Sequence, residues 1–228
     1  MPTTLYFVRH GVTDWNAARR LAGRLAGVSL SGDGRREAEA VARRLAAVPL
    51  RAVVSSPLDR ARETAETIAR AHELRVVVDE AFQEREYAAW QGLFSSDIHA
   101  RFPDDVRAVA GGQSVAGVES VASMAERMWA GMERLAAEHP DGAVAVVSHA
   151  DPIRALIARV ASVPPERLRA ITIDTASVSR IRRRGPRAIV DYANSRAHLE
   201  GPGACGWPSP SSPGRSSGQG RAAPDANQ

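Results

Sequence analysis

The sequence contains no lysine, and this absence excludes two kinds of active site. All 30 basic side chains of the 228-residue chain are arginine, against 26 acidic ones, which leaves a formal net charge of +4. Schiff-base chemistry and the phosphate loop of P-loop enzymes both require a lysine, so neither is available here. Arginine is the better bidentate partner for phosphate and carboxylate groups. The small positive excess is by itself weak evidence for a nucleic-acid partner.

Cysteine and long apolar runs are also scarce. Cys205 stands alone in a Pro/Gly/Ser segment, so a disulfide, a cysteine zinc site and a thiol nucleophile are all excluded from the folded part. No run approaches the roughly 18 apolar residues of a membrane span, and the first apolar stretch, 5–8, stops at Arg9 instead of continuing as a secretory signal. We therefore expect a cytoplasmic protein that makes no membrane contact.

The composition changes near residue 200. Residues 201–228 hold 6 Gly, 5 Pro and 5 Ser among 28 residues and show no helical or strand periodicity, so they cannot bury enough apolar surface to offset the entropy of ordering. We expect residues 200–228 to form a disordered tail. The preceding residues, 1–199, are long enough for one sizeable α/β domain and little more.

Within residues 1–199, short β-rich runs alternate with helical patterns. This alternation favours an α/β fold in which helices cover both faces of a parallel or mixed sheet. The segments 177–182 and 188–192 flank Gly185-Pro186 and predict a closing hairpin at the sheet edge. The predicted strands include LYFV, AVVSS, VVVD and AVAVVS, and the predicted helices cover 35–47, 57–72, 118–138 and 152–160.

Two of these helices directly follow strands. Ser56-Pro57 and Asp151-Pro152 each fit an N-cap with proline at the first helical position. In open α/β sheets, anions bind beyond the carboxyl ends of the strands, where helix N-termini offer free N–H groups. Two cations and two imidazoles fall at these ends and predict a phosphate site: Arg9, His10, Arg60 and His149.

Four motifs occur in order along the chain: VRHGVTDWN (8–16), SSPLDRARETAE (55–66), FQEREYAAWQG (82–92) and VVSHADPIRAL (147–156). Together they resemble the histidine phosphatase, or phosphoglycerate mutase-like, superfamily. The resemblance runs from residue 4 to about residue 199 and includes the closing stretch from DTASVSRI to YANSRAHL. It implies a histidine phosphatase domain over 1–199, built as a three-layer α/β/α sandwich with a mostly parallel central sheet.

The resemblance also implies residue roles. His10 would be the nucleophile that becomes phosphohistidine, Glu84 the proton donor, and Arg9, Arg60 and His149 the residues that surround the phosphoryl group. Three further positions would bind the substrate: Thr13, Asn16 and Ala150.

Two alanines depart from the family pattern. Ala88 stands where glycine usually precedes the Trp-x-Gly, and Ala150 stands where glycine usually follows the second histidine. If the glycine adopts a positive φ at either place, alanine would strain the loop by roughly 1 kcal/mol or more. A backbone N–H donated to phosphate would survive either change.

The residues make this chemistry intelligible without a metal or a cofactor. A neutral His10 can attack phosphorus while Arg9, Arg60 and a protonated His149 stabilise the charge that metal ions would otherwise neutralise. Glu84 can protonate the leaving oxygen and then, as a carboxylate, activate water.

Other residues compete for some of these roles. Glu80 and Glu86 are rivals of Glu84, since alternation would place all three on one side of an extended segment. We interpret Asp151 as a helix cap, and Arg62 as a surface residue paired with Glu66. The five arginines at 180, 182, 183, 184 and 187 are interpreted as a solvated hairpin, because interleaved aromatics that could stack bases are lacking.

The predicted function is hydrolysis of a phosphomonoester of a small metabolite, with no nucleic-acid partner. A phosphoglycerate mutase-type phosphotransferase is the alternative, and a non-catalytic phosphate-binding module is the third. A mutase needs extra cations over the pocket, but the segment 93–117 contains only Arg101 and Arg107, which are not adjacent. The sequence does not indicate which ester is the substrate, nor the oligomeric state.

Overall fold

The computed structural model describes residues 2–199, and the predicted tail at 200–228 lies outside this range. Within it, six strands form one sheet in the order β3-β2-β4-β1-β5-β6. Strands β1 to β4 are mutually parallel, and β5 and β6 add an antiparallel hairpin at one edge. The strands are β1 Thr3–Arg9, β2 Leu50–Ser55, β3 Val76–Val78, β4 Ala143–Ser148, β5 Val178–Arg184 and β6 Arg187–Ser195.

Helices cover both faces of this sheet. They are α1 Asp14–Ala17, α2 Gly32–Leu45, α3 Asp59–Arg70, α4 Ser95–Arg101, α5 Pro103–Ala110, α6 Val121–Glu138 and α7 Ala150–Val160. Short 3₁₀ helices lie at Glu80–Phe82, Ala88–Trp90, Pro165–Ala170 and Ala197–Leu199. Every helix in residues 2–199, including α6 as the longest, is too short or too polar to cross a membrane.

Alternation along the buried strands divides the core between the two faces. Tyr6 and Val8 pack with the apolar sides of α2 and α3. Leu5 and Phe7 point to the opposite face and pack with α6 and α7. The central strands β1, β2 and β4 are therefore apolar on both sides, as expected of a sheet covered by helices on both faces. The predicted three-layer sandwich with a mostly parallel sheet is confirmed.

A separate apolar cluster joins the 82–92 motif to α4 and α5. Trp90 and Ile98 are buried in it, and Phe102 and Val106 pack against them. Trp90 stacks on Tyr87 with ring centroids 6.1 Å apart. The segment 93–117 thus folds onto the loop that carries Glu84.

The predicted helix caps were wrong. Helix α3 begins at Asp59 with Leu58 as its N-cap. The hydroxyl of the buried Ser56 accepts from the amide of Leu58 at 3.3 Å, before the helix begins, and also contacts His149. Helix α7 begins at Ala150, directly after β4, with His149 as its N-cap. Asp151 therefore lies in the first turn, where its carboxylate interacts favourably with the helix dipole.

The closing hairpin is confirmed, and most of its predicted basic cluster is ion-paired. Arg180 and Arg182 both bind Asp191 across the hairpin, and Arg183 binds Glu133 on α6. These ion pairs join β5 to β6 and to α6.

Candidate active site

Parallel strand ends bring the two motif histidines together. Arg9 at the end of β1 pairs in register with Ser148 at the end of β4, so His10 and His149 follow neighbouring strands. The amide of His10 donates to the carbonyl oxygen of Ser148 at 3.1 Å. The two imidazole rings lie edge to face, with centroids 5.1 Å apart. The predicted convergence at this rim is present.

The imidazole of His10 is buried and held in one tautomer. Its Nδ1 lies 2.7 Å from the carbonyl oxygen of Gly11, so Nδ1 is the protonated nitrogen. Its Nε2 accepts a hydrogen bond from Nε of Arg60 at 3.2 Å. Burial, followed by the positive charges of Arg60 and Arg9, lowers the pKa of His10 well below its usual value. His10 is therefore neutral, with its lone pair on Nε2.

Glycine is required beside this histidine. A Cβ on Gly11 would collide with the carbonyl oxygen of Gly34 in the first turn of α2. The amide of Gly11 also donates to Oγ1 of Thr64 on α3 at 3.2 Å. The close approach of α2 and α3 therefore fixes the backbone that positions the His10 ring.

Two arginines reach the same rim from different elements. Arg60, in the first turn of α3, is buried and donates from Nη2 to the carbonyl oxygen of Gly23 at 2.8 Å. Arg9 donates from Nη1 to the carbonyl oxygen of Ile173 at 2.8 Å. Within residues 2–199, three buried nitrogens of the predicted site find no hydrogen-bond partner: Nε of Arg9, Nη1 of Arg60 and Nδ1 of His149.

His149 is uncharged in this ligand-free arrangement, and its predicted protonation in the presence of phosphate stays a prediction. Burial comes first, and the positive charges of Arg60 and Arg9 further lower the pKa of His149 well below its usual value. Its Nε2 lies 2.7 Å from Oγ of Ser56. Sequence reasoning treated Ser56 only as a cap, although its position in the SSPLDR motif was an available signal.

Glu84 stands apart from its two rivals in environment. Its Oε1 accepts a hydrogen bond from its neighbouring amide, Arg85 N, at 2.8 Å. Burial and then the negative charge of Asp151 raise the pKa of Glu84 to about 7, despite the opposing charges of Arg60 and Arg9. The carboxyl group is therefore partly protonated at neutral pH.

The rivals have other surroundings. Glu86 uses its carboxylate to accept from the amide of Ala88 at 2.8 Å. Glu80 is exposed and belongs to the 3₁₀ helix Glu80–Phe82, so the expected alternation of three glutamates along one extended segment was wrong.

An ion-pair cluster that the sequence did not reveal holds the backbone of Glu84. Arg24 Nε and Arg127 Nη2 donate to the carbonyl oxygen of Glu84 at 2.8 and 3.3 Å. Glu119 joins the two arginines, with N···O distances of 2.9 Å to Arg24 and 2.7 Å to Arg127. These residues are far apart in the chain and share no motif, so single-sequence reasoning had no signal for them.

The predicted substrate-binding positions follow the two histidines in the chain. Thr13 and Asn16 form a reciprocal capping box at the start of α1, in which Asn16 Oδ1 accepts from both the amide and the hydroxyl of Thr13. Ala150 is the first residue of α7, so its backbone N–H lies at a helix N-terminus. Its conformation is helical, and the predicted strain does not arise there. Ala88, in contrast, has φ +46°.

Comparison with known proteins identifies the family. Residues 5–196 match the family model of the histidine phosphatase superfamily (branch 1). The chain belongs to this superfamily. The predicted family and its phosphatase class are thereby confirmed.

Three relatives of this histidine phosphatase illustrate the match. Phosphoserine phosphatase 1 of Hydrogenobacter thermophilus is 31% identical over 198 residues, which cover 86% of this chain and 93% of the relative. A bifunctional protein of Mycobacterium tuberculosis is 36% identical over 181 residues, which cover 78% of this chain and only 50% of that protein. The structure of a mycobacterial glucosyl-3-phosphoglycerate phosphatase in complex with VO3 has a TM-score of 0.77 and 30% identity, covering 84% of this chain and 99% of that one.

In the part of the chain that the structure describes, histidine, cysteine and acidic side chains form no group of three or more that could hold a metal ion. Metal independence stays a prediction, and a test is given below.

Proposed function

We propose that this histidine phosphatase hydrolyses phosphomonoesters in two steps, with a phosphohistidine at Nε2 of His10. The observation that carries the proposal is the set of three buried nitrogens on Arg9, Arg60 and His149 that lack partners within residues 2–199. An unpaired buried donor costs about 1–3 kcal/mol, and a phosphoryl group supplies the acceptors that would remove this cost. All three nitrogens belong to residues clustered around His10.

Binding comes first in the proposed sequence. The guanidinium groups of Arg9 and Arg60 neutralise the phosphate dianion, and the N–H of Ala150 at the start of α7 donates to one of its oxygens. Within the capping box of α1, Thr13 orients the side chain of Asn16. The side-chain amide nitrogen, Nδ2, of Asn16 then donates to the phosphate. The added negative charge raises the pKa of His149, which then donates to phosphate.

Phosphoryl transfer then forms the N–P bond as the P–O bond of the ester breaks. The lone pair of His10 Nε2 attacks phosphorus in line with the leaving oxygen. Glu84 transfers its proton to that oxygen, because an alkoxide is otherwise a poor leaving group. A pKa of about 7 keeps a useful fraction of Glu84 protonated at neutral pH.

Hydrolysis of the phosphohistidine uses the same carboxylate in reverse. Glu84 accepts a proton from water as the water oxygen attacks phosphorus, and the N–P bond breaks with its electron pair returning to Nε2. Inorganic phosphate leaves and both residues recover their initial protonation.

Hydrolysis is favoured over mutase activity by the segment 93–117. Arg107 is paired with Asp104, and Arg101 lies over the ring of Phe102 at 5.5 Å. Both arginines are thus engaged within the segment. A mutase needs additional cations over the pocket to retain a doubly phosphorylated intermediate.

The proposed substrate class is a small phosphorylated metabolite. The Hydrogenobacter relative is named for phosphoserine and the mycobacterial structure for glucosyl-3-phosphoglycerate, both of which are phosphate esters. A cytoplasmic location, expected from the sequence, belongs to the same proposal.

Trapping of the phosphoenzyme tests the proposal. Wild-type protein quenched during turnover of a radiolabelled phosphomonoester should carry acid-labile, base-stable label, and His10→Ala should lose both the label and more than 99% of turnover, about 10²-fold or more. His139→Ala, changed at the C-cap of α6, is the control. Retention of more than about a hundredth of turnover by His10→Ala would point to direct attack by water.

A further inference from the structure

A cavity of about 380 Å³ is lined by Arg85, the residue after Glu84, and by Asp151, two residues after His149. Its walls come from the loop after Glu84, the first turns of α7, the end of α5 and the 3₁₀ helix Pro165–Ala170. The lining residues that matter below are Arg85, Tyr87, Trp90, Asp151, Arg154 and Arg169. Nothing in the proposed phosphoryl-transfer chemistry uses this cavity.

The lining of the cavity connects it to Glu84, the proposed acid. In an in-line displacement the leaving oxygen lies opposite His10, next to the acid that protonates it. Arg85 and Tyr87 follow Glu84 by one and three residues, and both line the cavity. Asp151 lines it as well, and its charge is close enough to Glu84 to raise the pKa of that carboxyl group. An alcohol attached to the leaving oxygen would therefore project into this cavity.

The charge of the lining is positive, since three arginines face one aspartate. Asp151 accepts from the hydroxyl of Tyr87 and pairs with Arg154. Arg85 donates to the carbonyl oxygen of Glu119 at 2.7 Å and lies 3.8 Å from Asp151. Arg169 is exposed and, among the described residues, makes no ion pair or side-chain hydrogen bond. Its guanidinium group is therefore available to an anion.

The other lining residues and the volume of the cavity indicate the size and polarity of the ligand that it can hold. The stacked rings of Tyr87 and Trp90 and the side chain of Leu168 supply apolar surface. Pockets of about 300–1,000 Å³ hold ligands well above three carbons in size. Asp151 would repel a dianionic second phosphate more strongly than a carboxylate, which carries a single charge.

We propose that this cavity binds the leaving group of the substrate, and that the preferred ester has an alcohol part with an apolar body and a carboxylate bound by Arg169. The proposal rests on the proposed function. It makes Arg169 a specificity-determining residue that takes no part in phosphoryl transfer. A leaving group of only three carbons would fill little of the cavity.

Two esters that differ by one charge test this assignment. Benzyl phosphate and 4-carboxybenzyl phosphate have the same aromatic body and the same type of leaving oxygen. For the wild-type protein, kcat/KM should be about tenfold or more higher for the carboxylated ester, the factor expected of one charge-assisted hydrogen bond. Arg169→Gln should remove this preference, mainly through a higher KM, and leave benzyl phosphate unchanged.

Arg167→Gln is the matched control, because Arg167 is an exposed arginine on the same 3₁₀ helix that does not line the cavity. This variant should keep the preference. Equal rates for the two esters in the wild-type protein, or equal losses in both variants, would overturn the leaving-group assignment. Failure to hydrolyse p-nitrophenyl phosphate at all would instead contradict the proposed function.

Discussion

Nε of Arg60 donates a hydrogen bond to Nε2 of His10, the nitrogen that attacks in the proposed reaction. This bond requires the tautomer in which Nδ1 of His10 donates to Gly11. Burial lowers the pKa of His10, and the positive charge of Arg60 adds to this effect and keeps the ring neutral. As substrate binds, Arg60 must transfer this hydrogen bond from Nε2 to a phosphate oxygen. Arg60 thus preserves the nucleophile before binding and neutralises the phosphoryl charge afterwards.

Activity should be independent of metal ions, because in the proposed mechanism Arg9 and Arg60 perform the charge stabilisation that a divalent cation supplies in other phosphatases. Turnover of p-nitrophenyl phosphate should be unchanged within about a factor of two after dialysis against EDTA. The measurement is kcat before and after chelation. A loss that Mg²⁺ or Mn²⁺ restores would contradict this assignment of roles.

Ala88→Gly should stabilise the protein by up to about 1 kcal/mol, because Ala88 has φ +46°, a conformation that disfavours residues with a Cβ. Urea unfolding measures the change in the free energy of unfolding. The neighbouring change Ala89→Gly, at an exposed position of the same 3₁₀ helix, should be neutral or destabilising. Equal effects of the two substitutions would show that backbone strain at Ala88 is not the cause.

The site could be predicted from the sequence to the extent that its residues directly follow strands or lie in recognisable motifs. His10, Arg60 and His149 fall at the carboxyl ends of parallel strands, so their convergence followed from the α/β alternation. The helix starts at Asp59 and Ala150 were mispredicted, because the side chains of Ser56 and Asp151 make contacts with His149 and Tyr87 that form only in the folded chain.

Two further features depend on distant residues. The ion pair between Arg24 and Glu119 spans 95 residues, and a single sequence carries no signal of such a contact. The neutral state of His149 depends on its burial and on the positive charges of nearby arginines, which motif spacing does not specify.

The buried Glu84 should reduce stability as the pH rises. Folding raises its pKa from 4.5 to about 7, so the folded state binds more protons between these values and stability falls across this window. Glu84→Gln removes the penalty and should stabilise the protein at pH 8 by about 1–3 kcal/mol relative to pH 4, where the two proteins should be similar. Urea unfolding at both pH values tests this. His10 and His149 are present in both proteins, so their effects cancel. A gain of equal size at both pH values would indicate altered packing instead.

Glu84→Gln should also separate esters by their leaving groups. If Glu84 protonates the leaving oxygen, the variant should slow transfer from an alkyl phosphate by about 10²-fold or more. An aryl ester with an acidic phenol needs little protonation, so the first step should slow much less for p-nitrophenyl phosphate. Steady-state turnover can still fall for both esters, because water attack on the phosphohistidine uses the same carboxylate. Rapid-quench measurement of phosphoenzyme formation isolates the first step.

Glu86→Gln is the control, since the carboxylate of Glu86 binds the amide of Ala88. Equal slowing of the first step for both esters in Glu84→Gln would remove Glu84 from the acid role, and a leaving-group-dependent loss in Glu86→Gln would transfer that role to Glu86.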